Sequence, residues 1–136
     1  MKYICLALFL AGCVPARRPF LVERAAVAPY DVRALEWRLT SIQYWPDVTP
    51  ADEFRPCAAT WREGFGDCDD YAQCAFEFTQ TWPNCERRRI IYESAPYKYH
   101  AVLFLKCADE KIFGYFDNGV FRRGLPNFYH PLTISD

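Results

Sequence analysis

Long hydrophobic runs are missing from this chain of 136 residues, and so is an excess of charge of either sign. Sixteen basic residues stand against seventeen acidic ones, and the basic ones are scattered apart from Arg87-Arg88-Arg89. That balance excludes the basic footprint of a nucleic-acid binder. The arginine run reads as the exposed start of a strand. No two cysteines have the C-x-x-C spacing on which zinc sites are built, and only two histidines, His100 and His130, are present. His130, between Tyr129 and Pro131, reads as a surface residue. Repeats and low-complexity segments are absent. What remains is an aromatic-rich chain, 51% apolar, long enough for one compact domain and too short for two.

The chain opens MKYICLALFLAGC. Its apolar run from Tyr3 to Ala11 is too short to span a bilayer as a helix but suits a signal-peptide core. Leu10-Ala11-Gly12-Cys13 also resembles the bacterial lipobox, in which Cys13 carries lipid and becomes the first residue. An ordinary secretory signal cleaved elsewhere is the alternative. By the same analogy Val14, where aspartate would otherwise stand, implies the outer membrane, facing the periplasm. Residues 1–12 are thus expected to be a lipoprotein-type signal peptide. Residues 13–29 would be the lipidated cysteine and a tether, and residues 30–136 the folded domain.

Along that domain, Val32, Leu35, Leu39 and Ile42 recur at helical spacing, which predicts a helix over Tyr30 to Ile42 capped by Asp31. Thr49-Pro50 with Asp52 and Glu53 behind it predicts a second helix start, limited by Pro56. Gly64-Phe65-Gly66 breaks the chain. A third helix is expected from Asp67 to about Trp82, with Tyr71, Ala72, Ala75, Phe76 and Thr79 buried. Strands follow at 87–93, 99–107, 111–117 and 120–123, with Asn118-Gly119 as a tight turn. Helices first and an antiparallel sheet second make an α+β domain.

Seven cysteines are present. Cys5 leaves with the signal and Cys13 would carry lipid. If Cys68 is a free thiol, an even number remains for an oxidising compartment. Folding the 87–107 hairpin about Pro96 sets Cys85 opposite Cys107, which predicts a bridge there. Cys57 and Cys74 are then left to pair.

The segment GFGDCDDYA places Cys68 among three aspartates, which would ordinarily suppress the thiolate. Its expected position at a helix N-terminus offsets part of that penalty. With a two-residue loop at Ala108-Asp109, His100 falls directly opposite Asp117 on one sheet face, where a carboxylate can orient an imidazole. Cys68, His100 and Asp117 therefore form a candidate triad, with the thiolate made by ion pairing to imidazolium. Trp61, Phe65 and Tyr99 are candidates to line the approach; each is equally placed for packing.

GFGDCDDYA, then HAVLF, then the Asp117-Asn118 stretch resemble, in order, the three catalytic blocks of the bacterial transglutaminase-like cysteine proteinases. Tyr44 to Phe54 (YWPDVTPADEF) is similar to the segment that precedes the cysteine in that family. The resemblance covers roughly residues 30 to 123. It implies a papain-like or transglutaminase-like core, with Cys68 as nucleophile, His100 as general base and acid, and Asp117 as orienter. The implied activity is amide hydrolysis on an envelope or surface protein. Glutamine acyl transfer or deamidation would use the same triad, and a lipid-anchored binding module is the non-enzymatic alternative. The resemblance also implies a calcium set at Asp67, Asp69 and Asp70. Helix capping by Asp67, with Asp69 and Asp70 favouring the dipole, accounts for the same acids without metal. No other cofactor is expected. The partners are a protein or peptide substrate and, through the lipid, a membrane.

Overall fold

A computed structural model describes residues 27–46, 54–96, 98–107 and 111–126, and the backbone of 131–135. The signal residues, Cys5, Cys13, the Thr49–Glu53 helix start and His130 lie outside the described residues. Val27 is already buried in the core, a few residues before the expected end of the tether.

Helix α1 spans Val32–Leu39 and is capped as expected, the Asp31 carboxylate accepting from the Ala34 N–H at 2.9 Å. It ends before Ile42. The Thr40 and Ser41 hydroxyls donate back to the Glu36 and Arg38 carbonyls, offering the chain an exit from the helix. Ile42 is still buried, just beyond the helix end. The next two residues form β1, Gln43–Tyr44, which pairs in parallel with β2, Phe65–Gly66.

Between these strands lies α2, Cys57–Glu63. Pro56, expected to limit a helix arriving from Thr49, instead stands at the head of this one. Its fixed φ and missing N–H cost nothing there. Gly64, at φ +80°, ends α2 in the left-handed conformation that glycine adopts most readily. Helix α3, Cys68–Thr79, follows directly. Tyr71, Ala72, Ala75 and Thr79 are buried along it as the periodicity requires, with Phe76 packed at the margin.

Among the described residues five strands make one antiparallel sheet, in the order β6-β5-β4-β3-β7. They are β3 (Cys85–Ala95), β4 (Lys98–Cys107), β5 (Phe113–Asp117), β6 (Val120–Arg123) and β7 (Pro131–Ser135). The α+β assignment holds. Strand β7, absent from the sequence-based expectation, borders β3. Helix α3 covers the face of Leu103, Leu105 and Phe116, which form the main core with Leu35, Leu39 and Tyr71. Ile90, Val102 and Phe104 make a smaller cluster on the opposite face.

Both expected disulfides are formed. Cys85 pairs with Cys107 at the far end of the β3–β4 hairpin, in the register that folding about Pro96 predicts. Cys57 and Cys74 join α2 to α3 across 17 residues, a closure of the size that stabilises a fold by about 3 kcal/mol. The arginine run is exposed only at Arg88. Arg87 turns to the end of α3, donating to the Thr79, Trp82 and Cys85 carbonyls, and Arg89 lies between the Phe54 and Phe76 rings.

One register differs. Leu103 faces Phe116 and Lys106 faces Phe113, so His100 is two positions away from the predicted place opposite Asp117. The connection is longer than two residues, and the Cys107 N–H closes it on the Ile112 carbonyl. Because side chains alternate with period two, an even slip keeps both residues on one face, now as diagonal neighbours.

Candidate active site

The glycines and two of the aspartates of GFGDCDDYA have structural tasks. A Cβ on Gly66 would come within 2.8 Å of both Asp70 and Thr60, so only glycine lets β2 pass this close to α3. Asp67 is the N-cap of α3, and Asp67 and Asp70 close a reciprocal capping box; the Asp70 carboxylate takes the Asp67 N–H at 3.3 Å. Cys68 is therefore the first helical residue, half-buried, and the free cysteine among the described residues.

The three aspartates do not act as three charges. Asp70 is buried and saturated: one oxygen accepts from Arg55 Nε at 3.0 Å and Thr60 Oγ1 at 2.9 Å, the other from Arg55 Nη2 and the Asp67 N–H. Its charge is balanced by the guanidinium. Burial, then a hydrogen bond and repulsion from Asp67, push the Asp69 carboxyl far above the usual carboxylate range, to about 8. Asp69 thus keeps its proton near neutrality. The fold itself removes most of the negative charge that would oppose a thiolate at Cys68.

The calcium set divides accordingly. Asp70 could join it only by giving up Arg55 and Thr60. Asp67 and Asp69 present oxygens that, with Cys68 Sγ, lie within 4.8 Å of one another, and Asp67 Oδ1 is a buried acceptor without a hydrogen-bond partner. Those two residues fit a hard cation as part of a shell.

His100 stands at the start of β4 on the face of Val102, with the Tyr92 ring edge-on to it at 5.6 Å. Its Nε2 meets Asp117 Oδ1 at 2.7 Å. The Cys68 sulfur lies near enough to the same imidazole to favour its charged form. Burial pulls the imidazole down, but the bond to Asp117 and the nearby Cys68 sulfur outweigh it and hold His100 at about 9. The imidazolium in turn keeps the Asp117 carboxyl below its ordinary value. The N-terminus of α3 and the rim of the sheet thus bring Cys68, His100 and Asp117 together.

The expected lining residues separate. Phe65 is exposed on β2, tilted against Trp45. Tyr99 is exposed next to His100 in the chain but points to the other face. Trp61 packs edge-on against Phe78 and belongs to the core margin. Four residues near the site were missed. Tyr44 and Tyr92 have hydroxyls raised first by burial and then by negative charge, Cys68 included in both cases. Arg55 neutralises Asp70, and Arg122 Nε donates to Asp117 Oδ2 at 2.9 Å. The signal for Arg122 was legible: an Asn-Gly turn pairs Asp117 with Val120, which puts residue 122 on the face of Asp117. No family model, curated protein or solved structure matches the chain.

Proposed function

We propose that the protein is a thiol-dependent amide hydrolase of the transglutaminase-like cysteine proteinase kind, acting on a protein or peptide. The observation that carries this reading is one imidazole held by Asp117 at 2.7 Å with a helix N-terminal thiol close enough to favour its charged form. Acylation begins with the sulfur in ion pair with imidazolium. Sulfur attacks the amide carbon and the carbonyl π pair moves to oxygen. That oxyanion forms where the Cys68 N–H and the dipole of α3 favour negative charge. His100 gives its proton to the leaving nitrogen as the C–N bond breaks, leaving a thioester. It then takes a proton from water, whose oxygen attacks the thioester and releases the acid. Asp117 holds the ring throughout and spreads its positive charge. Calcium held by Asp67 and Asp69 would supply a fixed positive charge beside the thiolate. The lipobox-like Leu10–Cys13 stretch would tether the protein to the cell envelope, and two disulfides agree with an oxidising compartment.

The test uses p-nitrophenyl acetate, a minimal activated acyl donor. The wild-type chain should release a burst of nitrophenolate and carry acetyl on Cys68; Cys68→Ala should give neither. An unchanged burst in that variant would end the proposal. Adding a fluorescent primary amine separates hydrolysis, in which water clears the acyl group, from transfer, in which the amine is acylated.

A further inference from the structure

Strand β6 leaves β5 through Asn118 and Gly119, both at positive φ, +45° and +85°. This two-residue turn sets Asp117 opposite Val120 and Tyr115 opposite Arg122, so the Arg122 side chain rises diagonally across the face from Asp117. The two carboxylate oxygens then have separate partners. Oδ1 meets His100 Nε2 at 2.7 Å and Oδ2 meets Arg122 Nε at 2.9 Å.

A carboxylate bound through one oxygen can turn about a broad, nearly two-fold torsion and still keep that bond intermittently. Bound through both oxygens to groups on different strands, it has one orientation. We infer that Arg122 is a positioning residue of this site, fixing the Asp117 carboxylate so that it holds one ring orientation and one protonation pattern of His100. The inference rests on the triad reading above.

The hairpin does not need Arg122 to stand. Phe121 packs at a tilt against Phe116 at 5.1 Å, and the Phe121 N–H donates to Glu36 Oε1 at 2.7 Å, tying β6 to α1. The Arg122 side chain is 56% exposed. A pair this open contributes at most about 1 kcal/mol to stability. A purely structural bridge would therefore leave the chemistry of Cys68 untouched when removed, whereas a positioning role would slow it.

The experiment compares the full-length chain with Arg122→Ala, Arg122→Lys and His100→Ala. Alkylation of Cys68 by iodoacetamide is followed peptide by peptide, and the exchange with water of the His100 Nε2 proton is followed by NMR. Arg122→Ala should react about tenfold more slowly, in line with loss of a charged hydrogen bond. Its imidazole proton should exchange faster, with no loss of folded protein. Arg122→Lys, which keeps the charge without the directed Nε–H, should fall between. If His100→Ala slows alkylation while Arg122→Ala changes neither rate nor exchange, the positioning role is wrong and the triad stands. If His100→Ala also leaves alkylation unchanged, the triad reading has failed and this inference fails with it.

Discussion

Asp70 and Asp117 are each bound by an arginine, Arg55 at the head of α3 and Arg122 on β6. Their surroundings divide their roles. The Asp70 side chain is 2% exposed, and its oxygens take bonds from Arg55, Thr60 and the Asp67 N–H. Nothing about it is left to react, and it locks α2, β2 and α3 around the first turn that carries Cys68. The Asp117 side chain is 24% exposed, and it spends one oxygen on an imidazole that has a thiol close by. The same ion-pair chemistry is scaffold when buried and saturated, and machinery when one oxygen faces a group able to move a proton.

The contrast predicts opposite phenotypes. Asp117→Asn should cut the p-nitrophenyl acetate burst rate by about 100-fold or more, as expected for disabling an acid–base pair, and should lose less stability than Asp70→Ala, since what goes is the share of the His100 contribution that its bond to Asp117 supplies. Comparable loss of both would mean that Asp117 is scaffold too. Asp70→Ala strands the buried Thr60 hydroxyl and the Arg55 guanidinium, and should destabilise the fold by about 3 kcal/mol in urea unfolding. The folded fraction should still acylate. Stability unaffected by Asp70→Ala would erase the distinction.

Two smaller effects follow from titration. His100 is held at about 9 in the folded state against an ordinary 6.5. Its contribution is fully present below pH 6.5 and is lost as pH rises toward 9. Unfolding free energy should fall by roughly 2 kcal/mol across that window, and His100→Gln should remove the fall. Asp69 is held protonated by burial and by Asp67, so ionising it also costs stability as pH rises toward about 8. Asp69→Asn should gain on the wild type as pH rises through the window from 3.8 to about 8 and be the more stable protein above it, measured by urea unfolding across pH. A flat difference between the two proteins would mean that Asp69 is ionised in the fold.

How far the sequence revealed this depends on the range of each interaction. Local chemistry was legible: the Asp31 cap, the α3 stripe, the Asn118-Gly119 turn and the β3–β4 register that places Cys85 against Cys107. The β4–β5 register was not, because the segment between Cys107 and Phe113 lacks a turn signature that fixes its length. His100 and Asp117 met anyway, since a slip of two preserves the face. β1 and β2, two residues each, are too short to show alternation. Arg55 lies 15 residues before Asp70, and only the fold brings them together. The three aspartates around Cys68 posed a charge problem whose answer, one arginine and one buried carboxyl that keeps its proton, is tertiary.

The most direct test of the central claim is the rate at which iodoacetamide modifies Cys68 at about pH 6, where free thiols are almost entirely protonated. The account predicts rapid modification in the wild type and modification at least about tenfold slower in His100→Ala, because the imidazolium that pairs with the sulfur is gone. Equal rates in the two proteins would contradict it, and Cys68 would then be a half-buried cysteine at the head of a helix and nothing more.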